Sequence, residues 1–312
     1  MEVVMIGNEK GGVGKTTLTR CLSEALTQFG YRTLMVDWDP SGNLTDCTLE
    51  NFPEYVLYDI FSRRCTVDQL ICKTPIGDIL PTVKELNFSN EDDDFEIEHH
   101  DDKSLSRLAN QIYGRTGGES HLRKFLWSAK NQFADRYDFV LIDTPPSDNI
   151  LTTNAIVAAN SILMVCEPSL PSLSGVWKLI SLINTAKRSY VEAAPVIDGV
   201  VISNYSESGQ DSAMKDSIKE VQQSVPSQNI YLYQTILRHS GNITNAMHNC
   251  RPLMDYARKT GYGVQDMLNL GLEFLASRGM APKKDVVGVK KNEDGSWSYT
   301  APTKEAEKVT KE

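Results

Sequence analysis

Residues 8 to 17 read Asn8-Glu9-Lys10-Gly11-Gly12-Val13-Gly14-Lys15-Thr16-Thr17, a glycine-rich turn with a lysine near each end. Between a strand and a helix such a turn aims successive backbone N–H groups at one point, where the helix N-terminus adds partial positive charge. That geometry cradles polyphosphate. Lys15 is placed to reach the β- and γ-phosphates, and the Thr16 hydroxyl to sit on Mg²⁺. The common form of the motif has glycine where this chain has Glu9. Here a second lysine, Lys10, stands five residues before the usual one, so the match is to the deviant form Lys-Gly-Gly-x-Gly-Lys-Thr.

Two acidic motifs accompany the loop. Val36-Asp37-Trp38-Asp39-Pro40-Ser41-Gly42-Asn43 sets two carboxylates one residue apart at the end of an apolar run. In extended backbone Asp37 and Asp39 point the same way, so one can organise the water on Mg²⁺ and the other the attacking water. Hydrolysis of a γ-phosphoryl group needs little beyond a positioned water and neutralised charge. The run Tyr137-Asp138-Phe139-Val140-Leu141-Ile142-Asp143-Thr144-Pro145-Pro146 delivers a third carboxylate, Asp143, as a Walker B strand does toward the Mg²⁺ shell.

These groups need a scaffold that brings strand ends together. Short apolar runs occur at 3–6, 33–36, 79–81, 139–142, 162–166, 199–202 and 230–233. They are continuous rather than alternating, as expected for parallel strands buried on both faces. Helical spacing falls between them at 16–29, 104–113, 121–133, 173–188, 212–223 and 263–276. The expected fold class is therefore α/β, a doubly wound, mostly parallel sheet flanked by helices. Such a sheet binds ligands at the carboxyl ends of its strands, where all three motifs lie.

At 312 residues the chain suffices for one large domain, expected over 1–277. From 278 to 312 the composition turns to Lys, Glu, Pro, Gly and Ser, the signature of a polar, flexible or loosely attached tail. The formal charge of −9 is concentrated, because eight carboxylates lie in an acidic insert at about 90–102 (Glu91, Asp92, Asp93, Asp94, Glu96, Glu98, Asp101, Asp102). Without them the chain carries −1, which leaves room for a basic surface. His99-His100 within that run is not read as a metal site. The six cysteines contain no Cys-x-x-Cys pair and read as reduced thiols. No apolar run reaches the ~18 residues of a membrane span, and nothing resembles a signal peptide. A cytoplasmic protein is expected, without a membrane partner.

Together the three motifs resemble the ParA family of deviant Walker ATPases, in its short Soj-like form without an N-terminal helix-turn-helix. The wider group includes MinD, nitrogenase iron protein and arsenite-pump ATPases. The resemblance runs from about Val3 to about Ala276 and implies ATP and Mg²⁺ as cofactors. It implies a homodimer closed face to face on two ATP molecules, with Lys10 of each subunit crossing to the partner's phosphates. Lys10, Gly11, Gly12, Val13, Gly14, Lys15, Thr16 and Thr17 would bind nucleotide, with Thr17 on the α-phosphate. Lys10, Lys15 and Asp39 would be catalytic, Asp39 positioning the hydrolytic water, and Thr16, Asp39 and Asp143 would serve the metal. Asn204, after a run similar to the family's sixth strand, is the candidate adenine reader. Leu237 stands where the family commonly has a proline near the base, and Asn245 where it has glutamate.

The resemblance further implies nonspecific DNA binding, nucleoid association and a ParB-like partner that stimulates hydrolysis. Arg238, Arg251, Arg258 and Lys259, with Lys187 and Arg188, are candidate phosphate contacts. Three other classes share the fold. A MinD-like switch for a protein cargo needs a C-terminal amphipathic helix, which 303–312 does not supply. An iron–sulfur ATPase needs a pair of cysteine ligands near the dimer axis. An ATP-dependent synthetase would act on a small acid.

Overall fold

A computed structural model of the chain describes residues 1–83, 103–189, 194–205, 212–257 and 262–301. The acidic insert, Arg258, Lys259 and residues 302–312 lie outside them. The centre is a sheet of seven parallel strands in the order β3-β2-β4-β1-β5-β6-β7. In chain order these are β1 (Glu2–Gly7), β2 (Thr33–Asp37), β3 (Asp78–Leu80), β4 (Phe139–Asp143), β5 (Ser161–Cys166), β6 (Val196–Tyr205) and β7 (Leu237–Arg238).

Continuous apolar runs are required because both faces are covered. Val3, Met5, Leu34, Val36, Val140 and Ile142 point into one core, against Leu151 and Ala155 of the helix Ile150–Ala158 and Leu173 and Val176 of the helix Leu170–Ser189. Val4, Ile6, Leu141 and Leu163 point into the other. There they meet Leu18, Leu22 and Leu26 of the first helix, Lys15–Gln28, and Met267 and Leu270 of the helix Gly263–Ala276. This is the doubly wound arrangement read from the sequence.

The structure departs from that reading in three places. Residues 230–233 form no strand: Leu232 makes a single parallel bridge to Val200, and the seventh strand is Leu237–Arg238. β6 is irregular where they meet it, Ile162 of β5 facing Ile197 but Leu163 facing Gly199. At Gly199, φ is 150° and a Cβ would lie 2.6 Å from the Tyr231 carbonyl, and the segment is held beside β6 by the Val200 N–H to Tyr231 O and Tyr233 N–H to Val200 O bonds, each 2.9 Å. The expected helix at 121–133 is broken into His121–Leu126, a 3-10 turn at Ala129–Asn131 and Phe133–Arg136. Gln132 has φ 54°, which no continuous helix accommodates, and the Trp127 indole N–H turns aside to the Ala158 carbonyl.

The third departure is the segment after 277, which is packed as far as Thr300. The backbone N–H of Lys283 donates to the Phe29 carbonyl, and Tyr31 Oη to Ala281 O. An antiparallel hairpin of β8 (Val289–Lys291) and β9 (Trp297–Tyr299) follows. Its Val289, Trp297 and Tyr299 join the second core, and Asn269 Oδ1 accepts from the Tyr299 N–H. Three well-spaced apolar residues suffice to dock a segment whose composition reads as tail. Tyr299→Ala is expected to lower stability by roughly 3 kcal/mol, read by thermal unfolding; an unchanged midpoint would mean the hairpin is undocked in solution.

Candidate functional site

The loop after β1 is anchored before it reaches any ligand. The buried Asn8 donates through Nδ2 to the carbonyls of Val165 (2.6 Å) and Ser172 (3.1 Å), and its Oδ1 accepts from the Lys10 N–H at 2.8 Å. Gly175 makes room for it, since a Cβ there would lie 2.1 Å from Asn8 Oδ1. Gly12 (φ 76°) and Gly14 (φ 91°) take left-handed conformations, and Gly14 caps the first helix. Backbone N–H groups and a helix N-terminus thus converge on one cleft.

That cleft holds about 650 Å³ and is lined by Gly11, Gly12, Gly14, Lys15, Thr16, Thr17 and Asp39, with Ser41, Asn43, Asp46, Cys47, Pro146, Met247 and His248 completing the wall. Lys15 is 7% exposed and its Nζ donates to the Lys10 carbonyl at 3.2 Å. Burial lowers its pKa, opposed by the charges of Asp143 and Asp39. Thr16 Oγ1 donates to Asp143 Oδ2 at 2.6 Å, joining the helix start to the end of β4. Thr17 Oγ1 faces Met247 Sδ at 3.6 Å.

The two carboxylates of the second motif are not equivalent. Asp39 lines the cleft, and its Oδ1 accepts from the Ser41 N–H at 2.9 Å. Asp37 is fully buried beside Asp143 in the β2–β4 register, and its Oδ2 accepts from Thr45 through N–H (2.8 Å) and Oγ1 (2.6 Å). Burial raises the Asp37 carboxyl well above its ordinary range, and the nearby Asp143 raises it further. Asp143 is pushed up to about 7 by burial, with the Thr16 hydroxyl pulling it back and Asp39 adding to the rise. Between them Trp38 is wholly buried, its Nε1 donating to Leu151 O at 2.9 Å.

The donor chemistry suits a hard cation. Asp37 Oδ1 and Asp143 Oδ1 are buried without a hydrogen-bond partner, and every nearby donor is oxygen: Thr16 Oγ1, Asp143, Asp37 and Asp39. Mg²⁺ is commonly held by one or two carboxylates together with substrate phosphates, not by a protein cage. Among the described residues no group of three His, Cys, Asp or Glu gathers to hold a metal.

Lys10 does not line the cleft. Its Nζ is paired with the Glu167 carboxylate beyond β5 and lies 3.3 Å from Ser169 Oγ, with its side chain 32% exposed. A second hollow of about 200 Å³ shares Gly12, Gly14, Thr17 and Met247 with the first. It is lined by Ser203, Asn204, His239, Ser240, Ile243 and Thr244, so Asn204 is brought to the loop, at φ 54°. Ser203 Oγ donates to the Val13 carbonyl and fixes that wall. Sequence reasoning assigned no role to Asn8, which opens the loop motif, or to Glu167, Ser203, His239 and Met247, which carry no motif of their own. A larger cleft of about 740 Å³ on the opposite edge contains the ion pairs Lys73–Asp78 (2.5 Å) and Arg136–Asp68 (2.6 Å).

The late basic residues prove unequal. Arg238 is engaged by the buried Asp266 through Nε (3.0 Å) and Nη2 (2.5 Å) and stacks 3.5 Å from the Tyr262 ring centre. It also lines the hollow beside Asn204. Arg251 pairs loosely with Glu50 at 3.5 Å; Lys187 and the exposed Arg188 end their helix.

A family model described as an AAA domain matches residues 1–194. The chromosome-partitioning ATPase Soj of Treponema pallidum is 28% identical over 274 residues, covering 87% of this chain and 96% of that protein. This chain belongs to the ParA family of ATPases. The chromosome partitioning protein ParA of Caulobacter vibrioides is also 28% identical, over 283 residues, covering 88% of this ParA-family chain and 94% of that protein. Among solved structures, the ATP complex of a single-substitution variant of Cyanothece McdA superposes with a TM-score of 0.69 at 17% identity. That superposition covers 92% of this chain and 98% of McdA, and shows a shared fold.

Proposed function

We propose that this ParA-family chain is a Mg²⁺-dependent ATPase whose ATP-bound form is a sandwich dimer on nonspecific DNA. Hydrolysis, stimulated by a ParB-like partner protein, then releases it, so that repeated cycles move a plasmid, chromosome or mobile element. The observation that supports this best is the divergence of the two loop lysines. Lys15 lies inside its own cleft, whereas Lys10 stands outside it on the protein face, held by Glu167. A charge so placed is suited to the nucleotide of a second subunit.

In this reading the loop N–H groups and Lys15 hold the β- and γ-phosphates, Thr17 the α-phosphate, and Asn204 the adenine edge. Thr16, Asp143 and Asp39 serve Mg²⁺, which when bound neutralises phosphate charge. Asp39, held by the Ser41 N–H at the cleft wall, orients the attacking water. The ordered γ-phosphate biases a two-state dimer, as in other nucleotide switches. No helix of the described residues is long and apolar enough to cross a membrane.

The deciding experiment is retention on nonspecific duplex DNA in a filter or gel assay. Retention is expected with ATP and Mg²⁺ and not with ADP, falling steeply as salt rises from about 50 to 200 mM because phosphate contacts release counterions. No retention at low salt would overturn the DNA reading and leave an ATPase acting on another cargo or on a small acid.

A further inference from the structure

The helix that opens at the phosphate-binding loop carries two charges that a helix surface does not explain. Arg20 and Glu24 are 1% and 0% exposed, one turn apart, with Arg20 Nη1 4.0 Å from Glu24 Oε2. Such a pair is stable only if further hydrogen bonds compensate the lost hydration. At 4.0 Å the mutual contact is too long to do this alone.

The compensation comes from one distant segment. Arg20 Nη2 donates to the carbonyl of Arg251 and, at 3.4 Å, to that of Ala246. The Glu24 carboxylate accepts from the N–H groups of Leu253 (2.9 Å) and Met254 (2.8 Å). All four groups belong to residues 246–254. Burial raises the Glu24 carboxyl, and the two backbone N–H groups pull it back.

That segment bears Met247 and His248, which line the phosphate cleft, and Met247 also walls the smaller hollow beside Asn204. It is tied on its other side as well. Cys250 sits at φ 51° with Sγ 3.2 Å from the Asp46 carbonyl and 3.4 Å from that of Leu49, just beyond the Asp39 turn. The segment therefore bridges the first helix and the carboxylate motif, and the buried pair is its anchor.

We infer that Arg20 and Glu24 are positioning residues for the nucleoside end of the bound nucleotide: through residues 246–254 they hold Met247 and His248 where the base and ribose must lie. This rests on the reading above that the cleft takes ATP. The inference separates the two ends of the site. The phosphate end is built by the loop itself, the nucleoside end by a clamp acting from beneath it.

The test is calorimetric titration of the full chain carrying Arg20→Met and Glu24→Leu together, which removes both charges and strands neither. ATP should bind about tenfold more weakly, while Mg-tripolyphosphate, which has phosphates and no nucleoside, should bind within about twofold of wild type. Unchanged ATP affinity, or equal losses for both ligands, would overturn the assignment. If that variant fails to fold, Arg20→Lys decides in the same way, because lysine keeps the charge but has one nitrogen where arginine sets Nη1 beside Glu24 and Nη2 on the Ala246 and Arg251 carbonyls. Wild-type protein that binds neither ligand would instead sink the ATPase reading itself.

Discussion

Asp39→Ala is expected to leave a protein that binds ATP and dimerises but scarcely turns over. The cleft keeps its loop, Lys15 and the Thr16–Asp143 bond, none of which passes through Asp39. Affinity for ATP should therefore stay within about threefold. What is lost is the carboxylate at the cleft wall whose geometry the Ser41 N–H fixes. Removing a group that orients and polarises the attacking water typically lowers the rate by about 10²–10⁴-fold. Phosphate release measured beside equilibrium ATP binding separates the two effects. A variant that fails to bind ATP would show that Asp39 holds the ground state, and its proposed role would fall.

Lys10→Ala should have the opposite profile, with ATP bound by the monomer and no ATP-dependent dimer. Lys10 contributes only its backbone carbonyl to its own cleft, through Lys15. Its ammonium is engaged by Glu167 and Ser169 and must leave them to serve a second subunit. A cation supplied to a transferring phosphoryl group from outside its own site accelerates transfer by about 10³–10⁵-fold in other nucleotide hydrolases. A loss of turnover of at least about 10³-fold is expected here on the same ground. Sedimentation with ATP, read beside turnover, gives the result. Wild-type dimerisation and turnover in this variant would leave Lys10 a surface ion pair of little worth.

The fold was legible because burial on both faces writes itself into short apolar runs, and six of the seven sheet strands fall on them. The seventh was not, because the stretch from Ile230 to Tyr233 is as apolar as a strand yet makes a single bridge to β6, beside the close approach at Gly199. The docked hairpin was hidden by composition: Val289, Trp297 and Tyr299 are sparse among charged neighbours, and their burial depends on a core assembled elsewhere. At the site, the phosphate end lies in one contiguous motif and could be read directly. The opposite end draws Asn204, His239, Ser240 and Met247 from separated segments; Asn204 is named through the family resemblance, and no local spacing announces the others. Arg20 and Glu24 illustrate the same limit. Four residues apart on a helix they look like a solvated pair, and only the packing of 246–254 over them shows otherwise.

The sheet order also governs how the chain comes to life on the ribosome. β1 is made first yet lies between β4 and β5, whose pairing with it begins at Phe139 and Ser161. Domains fold as they emerge, but here the opening strand is not flanked on both sides until Ser161 and the residues after it have been synthesised. The phosphate-binding loop must wait longer still, since the segment that walls it ends near Met254. Nascent chains shorter than this hold the signature residues without a site to put them in, so nucleotide capture is deferred until Met254 has been made.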